Sequence, residues 1–228
     1  VSLKALPAAQ YKPGTDRAQR YLAGAHDAVE AVLENLEKIR QLRKAEGGDI
    51  RGVLTNNEVD MLRAAIVFTG AGVDATLKQL IRDTLPALLV RNDQAHGKFE
   101  DFASARLGTG EIADTRMIAR YLTSANPRER LIEDYVYDLT GSSLQSADEV
   151  QKVAGALGVD DKDLRKRIWQ LKSLFTARNE ISHELDLQSP EKPADRTRRS
   201  RRMGETVTIC NTGFDVCQRL VNAVASEL

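Results

Sequence analysis

The run Arg178-Asn179-Glu180-Ile181-Ser182-His183 places a guanidinium, an amide and an imidazole within six residues. An imidazole titrates near neutrality and suits proton transfer. A guanidinium stays charged and can hold two oxygens of a phosphate-like transition state. Together they suit cleavage of a phosphodiester whose nucleophile comes from the substrate, as the 2′-hydroxyl of RNA does. Such a reaction needs no obligatory metal. Asn179, one turn before His183, could orient the imidazole or hydrogen-bond the phosphate.

A helix expected over about Asp163 to Leu187 must position these groups. At roughly 100° per residue, Leu164, Ile168, Leu171, Leu174 and Phe175 share one apolar arc. Arg178 and Ser182 fall inside that arc, and Asn179 and His183 stack on its flank. The core stripe therefore turns polar in its last two turns. Either hydrogen bonds satisfy these groups at the end of a core helix, or the stripe opens into a cleft or subunit interface where they face an anion. Arg178 and His183 point roughly 140° apart on an ideal helix. One copy then surrounds a phosphate poorly, which leads to the expectation of a homodimer with these helices facing across a two-fold axis.

The 228-residue chain can bury a substantial core, so a single domain is expected over 1–228. Its 33 basic and 33 acidic residues cancel, excluding an overall charge footprint for nucleic acid or membranes. Any such binding must be local. Cys210 and Cys217 suggest neither a bridge nor a metal site, and a reducing cytoplasm is the simplest setting. No apolar run approaches membrane-spanning length, and the stretch Val1 to Gln10 lacks a secretory signal's hydrophobic segment. Only 5% of residues are aromatic and alternating β-branched segments are almost absent, which argues for an all-α fold.

In chain order, residues 1–14 read as an irregular arm. A long amphipathic helix follows from Arg17 to about Glu46, capped by Thr15 or Asp16 and ended by Gly47 and Gly48. With no second ligand read at helical spacing, His26 on it reads as a surface or core histidine rather than a metal ligand. A second helix begins near Asn56 and runs through Ile81, with Gly70 and Gly72 read as close helix packing rather than a phosphate loop. Asp74 on this helix is a candidate ion-pair partner for Arg178. Past Pro86 the pattern weakens: Asn92, Gly97, Gly108 and Gly110 mark turns around a short piece at Phe99 to Arg106, and His96 reads as a loop residue. Shorter helices are expected at Ile112 to Ser124 and Pro127 to Leu139, and Ser146 to Glu149 reads as a capping box opening a further one. Residues 92–158 look like a helical elaboration between two halves of a core. The polar connection 188–204 carries Arg196, Arg198, Arg199, Arg201 and Arg202, either a solvated loop or phosphate-binding charge for RNA. A helix from about Glu205 to Ser226 closes the bundle.

Two long N-terminal helices, the segment Leu144-Gln145-Ser146, the short helix ending at Leu157-Gly158, and Leu171 through Phe175 leading into an R-x4-H pattern resemble the HEPN superfamily, and its RiboL-PSP-HEPN branch in particular. The resemblance implies a HEPN-like helical bundle with an inserted block of shorter helices, one that commonly dimerises. Many members are metal-independent endoribonucleases in toxin-antitoxin, CRISPR and phage-defence systems. By position, Arg178 and His183 match the catalytic pair and Asn179 supports them, with no metal and no cofactor. An antitoxin or other defence protein is the implied partner. In one toxin branch a tyrosine two residues past the histidine is modified by a partner nucleotidyltransferase; Leu185 stands there in this chain. Other members are non-catalytic modules that bind a partner protein or a nucleotide, and that is the alternative function. A weaker rival, a DNA-binding regulator using the arginine-rich connection, lacks a recognisable reading helix.

Overall fold

The computed structural model describes residues 2–47, 54–108, 115–192 and 194–228. Gly48 and Gly110, expected to terminate or interrupt helices, lie outside them. The described residues form nine helices: α1 (Asp16–Ala45), α2 (Asn56–Arg91), α3 (Asp93–Leu107), α4 (Thr115–Leu122), α5 (Pro127–Thr140), α6 (Ala147–Ala156), α7 (Lys162–Gln170), α8 (Lys172–Glu184) and α9 (Met203–Glu227).

The long helix α2 is the hub, packed by α1, α8 and α9 and by the α3 and α5 block. In α1, Leu22, Val29, Leu33 and Leu36 recur at helical spacing and are wholly buried. A true capping box opens α2: Thr55 Oγ1 accepts from Glu58 N, and Glu58 Oε2 accepts from Thr55 N. The same buried carboxylate pairs with Arg43 at 3.1 Å and so ties the end of α1 to the start of α2. At the start of α1, Thr15 occupies the cap position but its hydroxyl donates to Lys12 O instead of capping the helix. The expected Thr15 or Asp16 cap is thus a local turn closure.

Small residues allow the close approaches. A methyl added at Gly72 would overlap the Ala25 Cβ, and one at Gly213 would sit 2.9 Å from Leu174 and Thr69. At Gly70 the added carbon would lie 3.2 Å from Arg178 Cγ, so this glycine seats α8 against α2. Close helix packing is what both Gly70 and Gly72 provide.

Helix α2 does not weaken after Ile81 but continues through Pro86 to Arg91. Leu85, Leu88 and Leu89 are buried, and that burial outweighs the one hydrogen bond proline forfeits. At 36 residues α2 is long and apolar enough to cross a membrane by length and composition, contrary to expectation, although 61% of its most apolar window is buried within the fold. Asn92 then caps a full helix, its side chain accepting from Ala95 N. Gly97 and His96 therefore lie inside α3 rather than in a loop around a short Phe99 to Arg106 piece. The expected start at Ile112 falls outside the described residues, and α4 is seen from Thr115.

The helix expected as one rod from Asp163 to Leu187 is two. Leu171 separates α7 from α8, and its amide bonds Ile168 O in a tight turn. Asp161 caps α7, accepting from the Asp163 and Leu164 amides. The apolar stripe survives the break, because Leu164, Ile168, Leu171, Leu174 and Phe175 are all buried. The N-terminal arm is strapped down rather than loose: Lys4 N donates to Asn211 and Gln10 N to Asn222.

Candidate functional site

The last turns of α8 carry Arg178, Asn179 and His183, with Arg178 and Asn179 half-buried and His183 exposed. Arg178 Nη1 donates to Asn179 Oδ1 at 3.0 Å and lies 3.3 Å from His183 Nε2. It also donates to Gln145 Oε1, from the segment just before α6. Nη1 carries two hydrogens, which serve Gln145 and Asn179, so its approach to His183 Nε2 is a close contact rather than a third full hydrogen bond. The five-residue spacing does not keep the pair apart. Backbone directions diverge, but the long arginine side chain crosses the gap within one chain, which removes the geometric reason for a site split between protomers.

The partners of Arg178 share one property: Gln145, Asn179 and His183 offer neutral acceptors, and among the described residues no carboxylate pairs with it. Asp74, expected as its counter-ion, pairs with Lys78 at 3.0 Å and accepts the Leu144 amide at 2.7 Å. It thereby fixes the segment carrying Gln145, one step removed from Arg178. Ser182, placed inside the apolar arc by the helical wheel, is exposed. Asn179 orients the guanidinium rather than the imidazole.

Past His183 the helix stops at Glu184, because Leu185 and Asp186 adopt left-handed backbone with φ of 52° and 59°. The turn buries Asp186 completely. Its carboxylate accepts from Arg63 at 2.7 Å and from Arg201 at 2.5 Å, while Arg201 also reaches Glu180 at 2.7 Å. Burial alone would raise this carboxyl, but hydrogen bonds from Arg201 and Arg63 outweigh it and hold it below its ordinary range. Arg199 pairs with Glu184 at 3.2 Å and Arg198 with Asp60 at 2.7 Å. The arginine-rich connection is therefore not a uniform reservoir of phosphate-binding charge. Arg198, Arg199 and Arg201 are committed to ion pairs, and only Arg196 and Arg202 make none among the described residues.

The other candidates for chemistry are structural. Cys210 and Cys217 are free and buried, and burial pushes their thiols up to about 11 and about 12, so both stay protonated and inert. His26 is 7% exposed, bonded through Nε2 to Lys4 O and packed edge-on against Phe214. Glu30, one turn on, does bring a carboxylate to it, and with Asp27 the three ligand atoms lie within 4.8 Å of one another.

Sequence reasoning missed Gln145, Arg63, Asp186 and Glu180 as parts of the site's frame. The capping box expected at Ser146 to Glu149 forms only in half: Ser146 Oγ accepts from Glu149 N, while the Glu149 carboxylate accepts from Gln145 N instead of Ser146 N. Gln145 and Asp186 thus sit beside a helix start and a helix end, yet their partners Arg178 and Arg63 lie 33 and 123 residues away along the chain. Compared with family models, curated proteins and solved structures, the chain matches none.

Proposed function

We propose that this chain is a metal-independent endoribonuclease of HEPN type, acting in a toxin-antitoxin or phage-defence setting. The observation that carries the reading is the pairing of Arg178 with neutral acceptors only, 3.3 Å from the imidazole of an exposed His183. Its positive charge is not cancelled locally, whereas Arg63, Arg199 and Arg201 are each matched by carboxylates. A guanidinium held in place but electrostatically uncompensated is suited to an incoming phosphodiester.

In this reading His183 Nε2 takes the proton of a 2′-hydroxyl as its oxygen attacks the adjacent phosphorus. The bond from phosphorus to the 5′-oxygen breaks, that oxygen takes a proton from solvent water, and His183 afterwards gives the proton it took back to solvent. Arg178 holds the non-bridging oxygens as their charge grows, while Gln145 and Asn179 fix the plane of the guanidinium. The products are a 2′,3′-cyclic phosphate and a 5′-hydroxyl. The protein acts as a homodimer through the exposed end of α8, each protomer carrying a complete pair.

The test compares wild type, Arg178→Ala and His183→Ala on mixed cellular RNA in EDTA. Each substitution is expected to slow cleavage at least about a hundredfold. Strict dependence on magnesium eliminates the mechanism. RNA left intact by all three proteins, with nucleotide or partner binding altered by His183→Ala, establishes the non-catalytic module instead.

A further inference from the structure

Immediately beyond His183 the chain folds back on itself around an open groove of about 610 Å³, within the roughly 300–1,000 Å³ typical of ligand sites. Leu185, Leu187 and Pro190 supply its apolar wall, and Lys192, Arg196 and Arg198 its positive charge. Asp195, the one acid lining it among the described residues, accepts from the Thr197 amide at 2.9 Å and so serves the turn. Arg198 is committed to Asp60. Lys192 and Arg196 make no ion pair among the described residues.

The groove is built into a fixed segment. Gln188 N bonds Thr197 O, Arg199 N bonds Asp186 O, and Leu187 bridges Arg198 in antiparallel fashion. The buried Arg63–Asp186–Arg201 cluster clamps this ribbon to α2. Leu185, at the rim, is 71% exposed on left-handed backbone of a kind that suits glycine or asparagine, so its side chain is open to a ligand in the groove.

We propose that this groove is a single-nucleotide subsite, in which the base next to the cut phosphate lies on Leu185, Leu187 and Pro190 while Lys192 and Arg196 hold the following phosphate. The inference rests on the nuclease reading of α8. An apolar wall for a flat ring with two uncommitted cations beside it matches an RNA strand, which alternates bases and phosphates. The groove begins at Leu185, two residues past His183.

The test measures binding of a fluorescein-labelled single-stranded oligoribonucleotide to His183→Ala protein by polarisation in EDTA, so that the strand stays whole. Adding Lys192→Ala and Arg196→Ala together is expected to weaken binding at least tenfold and to reduce the log–log salt slope by roughly 1. Adding Leu185→Asn is expected to weaken binding at least threefold while raising the melting temperature, a combination that damage to the fold does not produce. Lys162→Ala with Lys166→Ala, which removes two charges from α7, should leave binding unchanged. The proposal is overturned if the α7 control loses as much as the groove variant, if neither groove variant weakens binding, if no RNA binds, or if an acidic peptide of equal charge binds more tightly. Wild-type cleavage measured in parallel separates the two ideas. RNA held through the groove but never cut removes the nuclease and leaves the subsite, whereas RNA cut with no effect of the groove variants removes only the subsite.

Discussion

Gln145 holds Arg178 from outside its helix with a neutral oxygen, and the distinction between an amide and a carboxylate matters there. Gln145→Glu would cancel the guanidinium's charge in place, so RNA cleavage should fall about tenfold or more while the fold gains a partly shielded ion pair. Gln145→Ala should slow cleavage less, because Asn179 still orients the guanidinium. Equal rates for the Glu variant and wild type would show that the charge of Arg178 is not what the reaction uses. Leu185 offers the complementary case, a residue whose local energetics are poor. Its φ of 52° is one that glycine adopts without strain, so Leu185→Gly should stabilise the protein by about 0.5–1 kcal/mol in urea unfolding. A loss of stability there would mean that the leucine packs in the fold rather than facing a ligand.

At the scale of elements, the ribbon after α8 is held by charge rather than by a hydrophobic face. Asp186 is 0% exposed and meets both Arg63 and Arg201, so Asp186→Asn should cost about 3 kcal/mol by leaving two arginines short of a counter-ion. The folded carboxyl lies below its ordinary value of 3.8, and the unfolded chain therefore binds more protons at low pH. The stability Asp186 contributes is fully present above about pH 4 and is lost as pH falls through the lowered value. Unfolding of wild type and variant should accordingly converge in acid; a gap independent of pH would locate the effect in packing instead. This clamp was illegible in the sequence because its members lie far apart, whereas Arg178, Asn179 and His183 were legible because they share one helix. Periodicity likewise found α1, α5 and α9, where buried side chains recur on one face. It ran through Leu171 because a single tight turn with no glycine or proline keeps the stripe in phase, and it stopped at Pro86 because local propensity cannot see Leu85, Leu88 and Leu89 buried beyond it.

For the whole molecule, the decisive question is whether one chain or two make a reacting pair. Ideal helix directions separate Arg178 from His183 and favour a pair assembled across a two-fold axis, while the side chains themselves meet at 3.3 Å inside a single chain. Mixing Arg178→Ala with His183→Ala protein under conditions that exchange subunits discriminates the two. If the pair forms between protomers, half of the exchanged dimers carry one intact pair, and about a quarter of wild-type activity should return. If it forms within a protomer, every chain in the mixture lacks one member and activity stays at the level of the single variants. The short intrachain contact favours the second result, with co-purification of untagged His183→Ala chains on affinity-tagged Arg178→Ala chains used to verify that subunits have exchanged. Recovery of a quarter of the activity would restore the divided site and recast the observed contact as a resting arrangement from which Arg178 swings toward the neighbouring subunit.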